Sequence, residues 1–343
     1  MDLIVTIDTE GDDAWRRSKT ELSTENLAFI APFQDLCDRY GVKPTYLCTW
    51  EVVEDPRFES LRGYQEAGLA EIGTHLHPWT SPPMERPQNG IDLGALHAFP
   101  SELEPALFAD KLRLLTERIY ERTGSQPRSY RAGRWGFSAE HIPTLIELGY
   151  LVDCSVTPCV SWEHTSGFAQ NGPDFRTAPS APYFLDRDDV CRSGQSTLLE
   201  VPMTILFTNR RMARSRRLQD LYSRYRRTLP ARAINKLFRL EPQWFRPYPH
   251  MTFERLKAIY EAAVRERLPA IEMMFHSSEL MPGGSPYHRD RAAVGRLNEK
   301  LEQVFGYLQE QSCRAMTLTA FARDFTSRAS ATADRRAVSG RRA

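Results

Sequence analysis

The chain has 343 residues, 41% of them hydrophobic, and 45 basic side chains nearly balance 44 acidic ones for a formal net charge of +1. This supports a large buried core, as one α/β barrel or two smaller domains, and gives no global reason to expect a nucleic-acid partner. No apolar run reaches the roughly 18 residues of a transmembrane helix, and Met1-Asp-Leu-Ile-Val5 lacks the basic region of a signal peptide. Cys37, Cys48, Cys154, Cys159, Cys191 and Cys313 have no C-x-x-C spacing and read as reduced thiols of a cytoplasmic protein.

Leu3-Ile-Val-Thr-Ile7 is a β-branched run that predicts a buried strand. It ends in Asp8-Thr-Glu-Gly-Asp-Asp13, four carboxylates in six residues. Such a cluster is costly at a buried strand end unless a cation sits among it, although an acidic solvated turn has the same composition. A helix is expected from Glu25 to Tyr40, a strand over Lys43–Cys48 and a helix over Phe58–Ala67. Glu71-Ile-Gly-Thr-His-Leu-His-Pro-Trp79 then predicts a strand with two imidazoles at its end. Residues i and i+2 of an extended chain share a face, so His75 and His77 converge while Leu76 turns away. Pro78 forces the chain out of the ladder. Two neutral imidazoles are two of the three protein ligands of a catalytic Zn²⁺, and Glu10, or alternatively Asp12, offers the carboxylate. In isolation an H-x-H pair is more often a pair of packed or surface histidines.

Residues 78–100 form a long loop with Pro and Gly, a candidate active-site rim. Ser101-Glu-Leu-Glu104 has capping-box spacing and predicts the start of a helix running to Thr123. Arg128-Ser-Tyr-Arg-Ala-Gly-Arg-Trp-Gly-Phe137 follows, offering Arg131 and Arg134 as anion partners and Trp135 as a flat apolar wall. A helix over Ser138–Leu148 and a strand over Tyr150–Val156 come next, with Asp153 placed either to brace the arginines or as an ordinary buried ion-pair partner. Residues 157–195 are loop-rich, with Trp162, His164, Asp174 and Tyr183 suited to sugar faces or to plain loop packing. Leu198–Ile205 is the next strand.

Residues 209–250 hold 11 Arg and one Lys against Asp220 and Glu241, and Leu218, Leu221, Tyr222, Tyr225 and Leu229 recur at helical spacing. The pattern predicts a helical insertion outside the main domain, without catalytic groups. It is either a solvated face or a patch for an anionic glycan, lipid head group or phosphate-bearing carrier. Ala270-Ile-Glu-Met-Met-Phe-His276 is a buried-looking strand ending in a histidine, a candidate general acid because imidazole titrates near neutrality. Residues 326–343, with five arginines and many Ser and Ala, are expected to be disordered.

Asp8 within Thr-Ile-Asp-Thr-Glu, the His75/His77 pair, Arg131-Ala-Gly-Arg-Trp-Gly136 and His276 fall in the order of the motifs of the polysaccharide deacetylase superfamily, the NodB-homology proteins or carbohydrate esterase family 4. The resemblance spans roughly residues 1–325 and is closest to a divergent branch with His-Leu-His-Pro-Trp and Phe-His-Ser-Ser-Glu-Leu motifs. It implies an α/β fold, a distorted (β/α)7 barrel, with a divalent metal, foremost Zn²⁺, and hydrolysis of N- or O-acetyl groups on a carbohydrate. It also implies Asp8 as catalytic base, Arg131 as its orienting partner and His276 as catalytic acid. Trp79, Arg134 and Trp135 become candidate substrate contacts. The family's first motif has two adjacent aspartates and its histidines stand four apart. Here Thr9 takes the second place and the histidines stand two apart, so Glu10 or Asp12 would be the carboxylate ligand. Two other classes compete: a C–N hydrolase for a small non-sugar amide or imide, and a catalytically inactive carbohydrate-binding barrel.

Overall fold

The computed structural model describes residues 1–12, 23–84, 98–165, 167, 171–225, 228, 234–235 and 238–340, without the side chains of 223 and 331–340. Eleven strands appear among them: β1 (Asp2–Thr9), β2 (Thr45–Cys48), β3 (Glu71–Leu76), β4 (Ser129–Ala132), β5 (Val152–Asp153), β6 (Tyr183–Phe184), β7 (Leu199–Glu200), β8 (Ile205–Leu206), β9 (Gln243–Trp244), β10 (Ala270–His276) and β11 (Arg314–Ala315). Seven of them pair in parallel in the order β10-β1-β2-β3-β4-β5-β7 and curl into the expected barrel. β6 adds antiparallel to β7, β11 pairs with β1, and β8 and β9 form a separate antiparallel pair. The barrel stays open between β7 and β10, where the Glu272 N–H donates to Thr204 Oγ1 at 2.8 Å.

Strand alternation sorts β1 into two sets. Leu3, Val5 and Ile7 join the outer core, which includes Phe33 and Phe275 packed edge to face at 5.2 Å. On the other face, Ile4 joins Leu47, Val152, Cys154, Leu199, Val201 and Ala270 in an apolar barrel floor. Above that floor come Thr6, Arg131 and Glu272, and at the carboxyl ends of the strands Asp8, Glu10, His75, His77 and His276. This is the end of a parallel α/β barrel at which sites are built.

Helices cover the outside. The expected helix over 25–40 divides into a 3-10 turn (Glu25–Phe29) and α1 (Ala31–Arg39), because Pro32 starts a helix readily but cannot continue one. Next come α2 (Trp50–Glu54) and α3 (Phe58–Glu66). The Ser101 capping box is not used. Residues Pro100–Glu102 form a 3-10 turn, the Glu102 carboxylate accepts from the N–H groups of Ala98 and Phe99 at 2.6 and 3.0 Å, and α4 (Pro105–Thr123) starts at Pro105. α5 is His141–Glu147. The strands expected over 150–156 and 198–205 shrink to β5 and to β7 and β8, the latter two separated at Pro202, which has no N–H for a ladder.

The basic segment 209–250 begins as expected, with α6 (Arg210–Arg214) and α7 (Arg216–Tyr225); Leu229 of its apolar pattern lies outside the described residues. It does not stay outside the barrel. β9 pairs with β8, Phe245 is fully buried, and the Phe245 N–H donates to Thr204 O at 2.8 Å. α8 (Phe253–Glu266) and α9 (Arg291–Glu310) complete the outer layer.

Ahead of the tail expected to be disordered, residues 326–343, the chain is packed against the barrel. Helix α10 runs over Leu318–Gly340, and its Leu318, Phe321 and Ala322 are buried in the barrel floor. Leu318 N donates to Thr45 Oγ1 at 3.1 Å, and Thr319 N and Oγ1 donate to the Glu71 carboxylate at 2.9 and 2.6 Å. Packing of this first turn nucleates the helix. The Ala- and Arg-rich residues that follow, good helix formers, then each add a hydrogen bond. Phe321→Ala should lower stability by about 3–5 kcal/mol, measured by denaturant unfolding; an unchanged midpoint would mean that α10 is not part of the core.

Candidate functional site

Each group at the barrel mouth is held by its strand. β1 brings Asp8 and Glu10, and the register pairs Asp8 with His276 on β10 and His75 on β3 with Arg131 on β4. Leaving β3, the chain is gripped by Lys111 of α4, whose buried Nζ donates to the carbonyls of Pro78, Ser81 and Pro83 at 3.1, 2.7 and 2.8 Å. Gly133 makes room for His77, since a Cβ there would lie 2.5 Å from His77 Cδ2. Arg134 and Trp135 sit at φ 53° and 64°, a left-handed conformation uncommon for bulky residues and often found where a site dictates the backbone.

His75 Nδ1 lies 3.0 Å from Arg131 O. A carbonyl only accepts, so Nδ1 carries the proton and Nε2 presents its lone pair. His77 Nε2 is 3.0 Å from that atom and 3.2 Å from Glu10 Oε2, and His75 Nε2 is 3.7 Å from the same oxygen. Glu10, His75 and His77 are all buried, and one ligand atom of each lies within 4.8 Å of the others. Burial and the neighbouring His75 hold His77 well below the usual histidine range, in the neutral form a ligand requires. For His75 burial acts downward, but Asp8 and Glu10 outweigh it and raise its pKa, so the carboxylates call for positive charge at this point. Two imidazole nitrogens and a carboxylate converging in a dry site suit a divalent cation.

The alternative ligand, Asp12, is employed elsewhere. Its carboxylate accepts from the N–H groups of Glu25 and Asn26 at 2.8 and 3.0 Å and from Ser23 Oγ at 2.7 Å, which caps the 3-10 turn after residue 24. Thr9, in the place of the family's second aspartate, points to the other side of β1, and its Oγ1 donates back to Ile7 O at 3.0 Å.

Asp8 Oδ1 accepts from Arg131 Nη1 at 2.5 Å. Burial pushes the Asp8 carboxyl up, but Arg131, His75 and His276 together pull it far below the usual range and keep it ionised. Asp8 Oδ2 lies 3.9 Å from His75 Nε2 and 3.8 Å from His276 Nε2. Arg131 is fully buried; its guanidinium also donates to Thr6 Oγ1 at 2.9 Å, to Cys154 O at 3.1 Å and to Glu272. Asp153 does not take the bracing role considered for it: its carboxylate accepts from Ser155 N and Oγ at 2.9 and 2.7 Å and adjoins Glu200. Burial raises both carboxyls.

Two charged side chains outside the expected site residues, Glu279 and Arg246, contact His276. Glu279 Oε1 accepts from the His276 N–H at 3.1 Å and lies 3.2 Å from His276 Nδ1. Arg246 Nη2 is 2.7 Å from that oxygen and 2.9 Å from the same ring nitrogen. The Arg246 guanidinium lies over Tyr248 and Tyr287, 4.5 and 5.6 Å from their centroids. The basic segment, expected to carry no catalytic group, delivers the buried Arg246 side chain against His276.

The candidate substrate contacts pack against other rings. Trp79 stacks on His77 with centroids 4.4 Å apart, and Arg134 lies 5.0 Å from the Phe99 ring centroid. Trp135 lies 5.2 Å from Arg131 Cζ and meets Trp162 and Trp244 at 6.5 and 6.2 Å. His164, Asp174 and Tyr183 lie away from the histidine cluster, His164 and Asp174 in a neighbouring cleft.

No protein-family model matches the chain, and no curated protein matches it. Solved structures do. A candidate glycoside hydrolase/deacetylase from Parabacteroides distasonis matches with a TM-score of 0.57 at 11% identity, over 94% of this chain and 70% of that one. Puue allantoinase matches at 0.52 and 14% identity, over 95% and 89%. A candidate polysaccharide deacetylase from Mycobacterium smegmatis, 18% identical over 92% of both chains, gives 0.48. The chain has the barrel fold of the deacetylase and glycoside hydrolase proteins.

Two outcomes are expected. Glu10→Gln should lower bound metal at least tenfold, while Asp12→Asn should keep the metal and lose about 0.5–2 kcal/mol of stability, the value of a helix cap; metal analysis and thermal melts of both variants separate the two roles. Glu279 is buried; burial raises its carboxyl, but Arg246 and His276 bring it down from 4.5 to about 2. A depressed carboxyl contributes stability that is present above the unfolded value and is lost as pH falls toward the folded one. The stability difference between the wild type and Glu279→Gln should therefore be greatest above pH 4.5 and shrink by about 3 kcal/mol on approaching pH 2.

Proposed function

We propose that the chain is a metal-dependent hydrolase that removes an acetyl group from a carbohydrate. The observation that carries this reading is the position of Asp8 Oδ2, 3.9 Å from His75 Nε2 on one side and 3.8 Å from His276 Nε2 on the other. An ionised carboxylate between a ligand set and an imidazole is the arrangement of a base and an acid acting on opposite sides of one acyl group.

Glu10, His75 and His77 would hold the ion, for which Zn²⁺ is the first choice, and a bound divalent ion polarises an acyl carbonyl and acidifies water. Asp8 takes the proton of the attacking water, and Arg131 fixes the carboxylate that receives it. His276 gives a proton to the departing amine or alcohol from Nε2. Arg246 and Glu279 orient that ring through Nδ1 and the backbone N–H. Trp79, Arg134 and Trp135 border the sugar. Among the described residues no helix is long and apolar enough to cross a membrane, and all six cysteines are free, which fits a reducing, cytoplasmic setting.

The likeness to an allantoinase favours a second reading, hydrolysis of a small amide or imide with the same groups. Metal-loaded protein should release acetate from N- or O-acetylated sugars and leave allantoin untouched; the reverse result replaces the first reading with the second. Failure to bind metal or turn over either class would leave an inactive barrel. His276→Ala should keep its metal and lose about 10²–10⁴-fold in kcat, the usual contribution of a proton donor. Arg246→Met should lower kcat with little change in KM, since it touches the acid and not the sugar.

A further inference from the structure

Helix α7 has two unlike sides. Gln219 and Tyr222 turn inward: both are half-buried and line the cleft against the 159–177 loop, and Gln219 Nε2 donates to Met212 O of α6 at 2.8 Å. Leu218, Leu221 and Tyr225 stand on the other side at i, i+3 and i+7, within an arc of about 60°. They line no part of that cleft and are 40%, 55% and 50% exposed. We propose that this face of α7 is a docking surface for an anionic lipid bilayer, holding the protein reversibly at a membrane surface without a spanning segment. The inference goes beyond the deacetylase reading and does not depend on it.

Clustering is the first ground. Ten large apolar side chains are exposed among the described residues, and five of them, Leu218, Leu221, Tyr225, Ile234 and Phe238, belong to the one segment 218–238. Apolar side chains exposed singly are ordinary, whereas several on one face mark an interaction surface. Asn209, the cap of α6, donates from Nδ2 to Phe238 O at 3.0 Å, which fastens the far end of this segment to its beginning.

Charge selects the occupant. Residues 209–225 carry six arginines against Asp220 alone. Arg210, Arg211, Arg214, Arg216, Arg217 and Arg224 are all exposed, and none forms an ion pair among the described residues. Arg217 flanks the apolar stripe on α7, and Arg210, Arg211 and Arg214 precede it on α6. A ten-residue helix with an apolar stripe and a cationic flank is too short to span a bilayer and suited to lie on one. Its leucines enter the boundary between head groups and acyl chains, while the long arginine stems carry their charge out to the phosphates. A second copy of this chain on the same face would set arginines against arginines. A polyanionic glycan or a nucleic acid would answer the charge but leave Leu218 and Leu221 in water.

The test is flotation of the full chain with vesicles of phosphatidylcholine alone and of phosphatidylcholine mixed with phosphatidylglycerol. Partition onto the mixed vesicles should exceed that onto the neutral ones by about tenfold or more and fall as salt is added. Arg214→Gln combined with Arg217→Gln should weaken it by about tenfold at low salt. Leu218→Gln combined with Leu221→Gln should weaken it by about tenfold at low and high salt alike, through lost apolar contact. Glutamine is a good helix former and these positions are exposed, so both double variants should keep the wild-type circular dichroism and melting temperature. Failure to bind the mixed vesicles overturns the proposal. So does vesicle binding that the leucine variant leaves intact, or tighter binding to heparin that is equally indifferent to it; either result makes the arginines a general polyanion patch. Dimers seen by sedimentation velocity in the wild type and lost in the leucine variant would assign the face to a second copy instead.

Discussion

The buried guanidinium of Arg131 is the constraint around which the barrel is organised. It reaches from β4 across the interior to Asp8 and Thr6 on β1, to Glu272 on β10 and to the Cys154 carbonyl after β5. A fully buried cation is tolerated only when its donors are all met and its charge is answered. Asp8 answers it, and Glu272 contributes a second carboxyl that burial pushes upward. The same contacts that make the arginine affordable tie strands that are far apart in sequence into one ring, and they fix Asp8 in the ionised state that its proposed role needs. Stability and chemistry are here the same set of bonds.

Around that centre the interior is layered. Apolar side chains and α10 form the floor, the arginine network the middle, and imidazoles and carboxylates the rim. A layer of charge above an apolar plug is costly to hydrate and costly to unpair, so the rim groups are aligned by a rigid base instead of by loops. The positive φ values at Arg134 and Trp135 and the close approach at Gly133 lie at this rim, next to His77.

Much of this was legible in the residues. Two-residue spacing brought Asp8 with Glu10 and His75 with His77 to common faces, because strand geometry is local and nearly invariant. Other groups escaped for identifiable reasons. Glu272 stands four residues before His276 on the same face of an apolar strand, and an unaccompanied mid-strand carboxylate was a sign that a buried cation waited across the barrel. Arg246 was hidden in a segment so rich in arginine that composition pointed to a surface; Phe245 and Pro247 beside it were the contrary signal. Asp12 looked equivalent to Glu10 until the 3-10 turn claimed its carboxylate.

The pairing of β1 has a kinetic side. Its neighbours are β2, about forty residues on, but also β10 and β11, some 270 and 310 residues away. Half of the first strand therefore cannot be satisfied until nearly the whole chain is present, and α10 then closes the floor beneath it. Contacts of such separation are slow to form, since loop closure must precede any gain from them. Until β10 docks, the edge of β1 is an apolar, unpaired strand ending in carboxylates, and those charges are what an aggregating neighbour would have to bury. The carboxylates that gather at the barrel mouth would thus also oppose edge-to-edge pairing of β1 before β10 docks.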